Sequence, residues 1–74
     1  MNTKMQRLRA ALKELRDAAW ECRWETEMKD ERYSSYLSGA LWFALVTIRA
    51  NALMAITLID NLAKETERKE KANA

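Results

Sequence analysis

Residues 40–59, ALWFALVTIRANALMAITLI, hold one charge in twenty positions, Arg49, and neither proline nor glycine. A run of this length and character must be covered by a bilayer, by the rest of its own chain or by another molecule. Arg49 sits at the midpoint, where a bilayer would exact about 2.5–3.5 kcal/mol on insertion scales, and Asn51 adds to that. A membrane is therefore the disfavoured cover. An amphipathic first half of the chain offers a better one.

That first half is helical by composition and by period. The chain has no proline and a single glycine, Gly39, and is rich in Ala, Leu, Glu, Lys and Arg. Residues 4 to about 30 read as helix 1, with Met5, Leu8, Leu12, Leu15, Ala19, Cys22 and Thr26 recurring at spacings of three and four. Residues from about 34 to 65 read as helix 2, whose longest seam is Leu37, Leu41, Ala44, Ile48, Asn51, Ala55, Leu58 and Leu62. Between them, KDERYSSY (29–36) is the expected turn, with Ser34 or Ser35 capping the second helix. Residues 66–74, TERKEKANA, are expected to fray, and the whole of 1–74 to form one domain.

Folding the chain back at that turn pairs residues whose numbers sum to 66 or 67. Thr26 then meets Leu41, Ala19 meets Ile48, Leu15 meets Asn51, and Leu8 meets Leu58. Most such layers oppose a large side chain to a smaller one. The expected fold is an all-α antiparallel hairpin. A second stripe on helix 2 (Trp42, Val46, Arg49, Leu53, Ile56, Asp60, Ala63) and the pair Trp20 and Trp24 on helix 1 lie outside these seams. Two hairpins pairing into a four-helix bundle would hide them, so Trp20, Trp24, Trp42, Val46, Leu53 and Ile56 are the expected oligomer or partner interface.

Arg49 and Asp60 then need counter-charges. Within the chain, Arg49 falls near Asp17, and Asp60 near Arg7 or Arg9. Across a symmetric pair of second helices, Arg49 would instead face the partner's Asp60. Asn51, a polar residue on the expected seam, would fix register.

Catalytic chemistry has no visible members. There is no histidine, and the one cysteine, Cys22, lies in a helical seam, so neither a nucleophile–base pair nor a zinc set can be assembled. No cofactor is expected. The acids Glu14, Asp17, Glu21 and Glu25 form one stripe bridged by Lys13, Arg16 and Arg23, a solvated face without matching acids opposite. A lone thiol suits a reducing cytoplasm, and MNTKMQRLRAALKELRD lacks the apolar core of a signal peptide. A chain of 74 residues is also marginal alone, and oligomerisation is the stabilising device left to it.

Charge distribution adds a second possibility for partners. Arg7, Arg9, Lys13, Arg16 and Arg23 give helix 1 a basic row, with Arg9, Arg16 and Arg23 seven apart. Such a row serves as a coiled-coil edge or as phosphate contacts. In size and hairpin form the chain resembles plasmid copy-number regulators, which implies binding of paired RNA loops. The segment ALWFALVTI (40–48) resembles the second helix of phage hairpin proteins that sequester cyclic oligonucleotides, which implies a sponge for a small anionic ligand. The expectation drawn first is a phage- or plasmid-like regulator or inhibitor that self-associates and binds another protein, using Tyr33, Tyr36, Trp20 and Trp24 at the turn end.

Overall fold

The computed structural model describes residues 3–73; residues 1, 2 and 74 lie outside the described residues. Helix α1 spans Thr3–Glu21, a π-turn covers Trp24–Met28, and helix α2 spans Ser35–Asn73. The two helices pack antiparallel, with no strand among the described residues. At 1.5 Å per residue, 39 residues of α2 should measure about 58 Å, close to the 62 Å long axis of a body only 16 by 15 Å across. Helix α2 is thus a straight rod along which the shorter α1 lies.

Helix 1 ends nine residues earlier than its apolar period suggests. Arg23 is extended (φ −104°, ψ 141°), and its N–H donates to the Glu27 carboxylate at 2.7 Å. The Thr26 hydroxyl donates to the same carboxylate. Local bonds of this kind compete with the helical ladder. They turn the chain so that Trp24 meets Trp42 edge-on, ring centroids 6.0 Å apart. The connection closes through Asp30, which accepts from the Arg32 N–H at 2.9 Å in an Asx-turn. Ser34 then receives the Leu37 N–H on its hydroxyl at 3.5 Å, a long N-cap bond that opens α2.

Helix 2 continues where fraying is expected, through residues 66–73. Glu65 and Lys69, and Glu67 and Lys71, are spaced four apart with the acid first, the favourable order on a helix. The Thr66 hydroxyl also folds back onto the Leu62 carbonyl.

On α2 the core is one residue out of step with the expected seam, whereas on α1 Met5, Leu12 and Ala19 of that seam face inward and Leu8 and Leu15 do not. Ala19, Ala52, Ile56 and Ile59 are buried between the helices, with Met28 and Ser38 buried at the turn end. On α2 the inward row is Ser38, Trp42, Leu45, Arg49, Ala52, Ile56, Ile59 and Ala63. On α1 it is Met5, Arg9, Leu12, Arg16 and Ala19. The contacts that fix the register, Arg9 to Asp60 and Arg49 to Ala19 and Cys22, have numbers summing to 68–71 rather than 66 or 67. Leu8, Leu15, Leu37, Leu41, Leu58 and Leu62, expected inside, are between 48% and 65% exposed, and Asn51 is exposed too. Two apolar stripes on α2 differ by a single 100° step. The inward one carries Arg49 and is flanked by Asp60, and both find their hydrogen-bond partners on α1 or at the residue that follows it.

Candidate interaction surfaces

Arg49 is the centre of the hairpin. Its guanidinium lies 4.5 Å from the ring centroid of Trp20 and 4.7 Å from that of Trp42. Its Nε donates to the Ala19 carbonyl at 3.1 Å and its Nη2 to the Cys22 carbonyl at 3.0 Å. The last four carbonyls of a helix have no partner within it. Helix α1 has neither a glycine cap nor a basic residue in its final turn. Arg49 supplies both missing parts from the other helix: donors for the carbonyls and a cation at the negative end of the dipole. Asp17, the expected counter-charge, is held by Arg16 beside it (3.1 Å) and is exposed.

Asp60 belongs to Arg9. Nε donates to Oδ1 at 2.7 Å and Nη2 to Oδ2 at 3.1 Å, a two-pronged pair that pins the far end of the hairpin. The hydrogen bonds from Arg9 hold the Asp60 carboxyl below its ordinary range, against the opposing effect of partial desolvation. Asp60 is therefore engaged inside its own hairpin, not presented to the Arg49 of a second copy. Asp30 is lowered likewise by hydrogen bonds from Arg32, and Glu27 by those from Thr26 and the Arg23 backbone.

The surplus apolar surface divides into two sides. In an antiparallel pair, the residue preceding each inward position turns to the same side of the hairpin on both helices. On α2 these residues are Leu37, Leu41, Ala44, Ile48, Asn51, Ala55, Leu58 and Leu62; on α1 they include Leu8, Ala11, Leu15 and Ala18. None is charged. The residues following inward positions make the opposite side, where Trp20, Phe43, Val46 and Leu53 stand exposed among charged neighbours such as Lys13, Asp17 and Lys64. Thr47 and Thr57 turn their hydroxyls back onto the carbonyls of Phe43 and Leu53.

The six expected interface residues therefore part company. Ile56 is buried, and Trp42 and Trp24 are half-buried, all within the hairpin; Trp20, Val46 and Leu53 remain outside. Tyr33 and Tyr36 are exposed at the turn end, Tyr36 most of all at 81%. The basic row is divided as well. Arg9 is paired with Asp60 and Arg16 with Asp17, while Arg7, Lys13 and Arg23 are exposed. A cleft of about 450 Å³ opens beside the clamp between Trp20, Trp24, Trp42 and Arg23. Its deepest cation, Arg49, already donates to two carbonyls. Among the described residues no group of acids, cysteines or histidines is placed to hold a metal.

The residues of the leucine face form the longest heptad seam in the sequence, and periodicity alone places them in the core. The signal that separates it from the core is polar: the stripe with Arg49 and Asp60 must face donors and acceptors. Helix α2 is long and apolar enough to cross a membrane, and 17% of its apolar window is buried within the hairpin.

No family model, curated protein or solved structure matches this chain. The likeness of residues 40–48 to phage sequestering hairpins places no ligand-binding residue on it. Trp42 and Leu45 of that segment face α1.

Proposed function

We propose that this chain is a small non-enzymatic interaction protein that self-associates through its leucine face and regulates or inhibits another macromolecule by occupying its surface. The observation that carries this is the uncharged side of the hairpin. It runs from Leu37 to Leu62, about 38 Å at helical rise, across a body 16 Å wide. The whole face projects about 600 Å², an upper limit on the apolar patch and comparable to the largest such patch on a typical monomer. Self-association on this side leaves Trp20, Phe43, Val46 and Leu53 on the other, together with Tyr36, for a different partner. A protein partner suits these aromatic and aliphatic anchors. Nucleic acid is the weaker alternative, since two cations of the basic row are already paired within the chain. A small anion is weaker for a similar reason, the engagement of Arg49.

The test is the mass of the purified chain by light scattering across a dilution series, compared with Leu58→Glu. A multiple of 8.6 kDa that falls to the monomer value in the variant supports self-association. A monomer at every concentration overturns it. For the second partner, a double replacement Phe43→Ser with Val46→Ser should abolish binding to any candidate regulated protein while leaving the oligomer mass intact. Undiminished binding by that variant would move the partner site elsewhere.

A further inference from the structure

The leucine face has an internal order that self-association in general does not require. On α2 it reads Leu37, Leu41, Ala44, Ile48, Asn51, Ala55, Leu58, Leu62, at spacings of four, three, four, three, four, three and four. Both the spacing and, but for the central pair, the residue types read the same from either end. In a two-fold pair each residue that contacts a second residue is contacted by it in return, so this palindrome sets leucine against leucine and alanine against alanine in every layer but the central one. Resting on the self-association proposed above, we infer that the occupant of this face is a second copy of the chain, bound antiparallel about a two-fold axis crossing α2 between Arg49 and Ala50.

In that arrangement Leu37 meets the partner's Leu62, Leu41 meets the partner's Leu58, and Ala44 meets the partner's Ala55. Leucine layers close both ends, and the alanine layers between them let the backbones approach. Ile48 meets the partner's Asn51 beside the axis, so the two asparagines lie about one helical turn apart along the rods, the central polar layer that sets register and orientation in helical bundles. Leu8 and Leu15 of α1 stand on the same side and flank the partner's α2. Two such faces bury up to about 1,200 Å² in all, the lower edge of the range for a specific dimer. The charges raise no objection: Arg49 is turned inward onto Ala19 and Cys22, and Asp60 onto Arg9.

The register is open to direct test by disulfide trapping in a Cys22→Ser background. Leu41→Cys and Leu58→Cys chains are prepared separately, mixed and oxidised. Residue 41 sits opposite the partner's residue 58, whereas the two copies of residue 41 lie about 25 Å apart, far beyond the Cα separation a disulfide spans. The expected result is a covalent dimer from the mixture and none from either variant alone. Self-linking of Leu41→Cys would indicate a parallel pair and overturn the inference. A dimer mass without the mixed link would overturn this register while leaving self-association standing. A monomer that retains its helical circular dichroism would overturn both. If a cysteine variant loses helicity, Leu41→Glu and Leu58→Lys serve instead: each alone should be monomeric, and their mixture should recover the dimer mass. Failure of helical mixtures to do so counts against the register. Flotation of the wild-type chain with neutral phosphatidylcholine vesicles, in place of a dimer, would show that a bilayer covers this face and would also overturn the inference.

Discussion

The Arg49 guanidinium donates to the carbonyl of Ala19 at 3.1 Å across thirty residues of sequence, and so finishes a helix to which it does not belong. Replacing Arg49 with Ala removes two charge-assisted hydrogen bonds and two cation–π contacts. The expected loss is about 2–4 kcal/mol, read from denaturant unfolding. Arg49→Lys should recover only a fraction, since an ammonium cannot lie flat between two indoles while reaching two carbonyls. Equal stability of the lysine and wild-type chains would remove the clamp from the account of the fold.

Ile56 and Leu58 are two residues apart with opposite surroundings, 6% and 55% exposed. Ile56→Ala should destabilise the hairpin by about 2–5 kcal/mol through the cavity it leaves. Leu58→Ala should weaken self-association and leave the isolated hairpin close to its original stability. Thermal melts in dilute solution, together with mass measurements, separate the two. The reverse pattern would restore the inward row to Leu37, Leu41, Leu58 and Leu62.

Asp60 gives a stability that depends on pH with a definite sign. Its carboxyl is held below its ordinary range by Arg9, so the folded state releases the proton more readily than the unfolded one. The contribution is complete above the unfolded-state value and disappears as pH falls through the folded one. Wild type should therefore melt above Asp60→Asn at neutral pH, with the gap closing in acid. Glu27 and Asp30 are lowered in both chains and largely cancel in the comparison. A gap that stays constant from neutral pH into acid would show that the pair contributes no titratable stability.

Gly39 lies within the first turns of α2, and a Cβ built there has no heavy atom within 4 Å. Gly39→Ala should stabilise the chain by about 0.5–1 kcal/mol, because alanine enters a helix with less loss of backbone freedom. A rise in melting temperature of a few degrees is the expected reading. A fall would indicate that something occupies the space beside Gly39 in solution.

Two helices folded back on each other could be read from periodicity and from the polar turn, because both express the same need to bury one side of each rod. Which side is buried could not. Leu41 and Trp42 both lie on apolar rows with heptad spacing, and hydrophobicity favours the row that the fold leaves outside. That Asp60 falls near Arg7 or Arg9 follows from charge and approximate register; that Arg9 is the partner does not. The partners of Arg49 do not, since backbone carbonyls at a helix end are absent from any count of side-chain charges. The break at Cys22 and Arg23 has no proline or glycine to announce it; it depends on side chains such as Glu27 bonding to the backbone nearby.

The clamp also dictates an order of events as the chain is made. Helix α1 contains its own ladder but not the cation that closes its last turn, which lies thirty residues downstream at Arg49. A nascent or truncated chain that stops before Arg49 should hold a helix with a loose end, and a fragment of residues 1–34 should show it as rapid amide exchange near Ala19. Translation must therefore pass the middle of the second rod before the first can be secured.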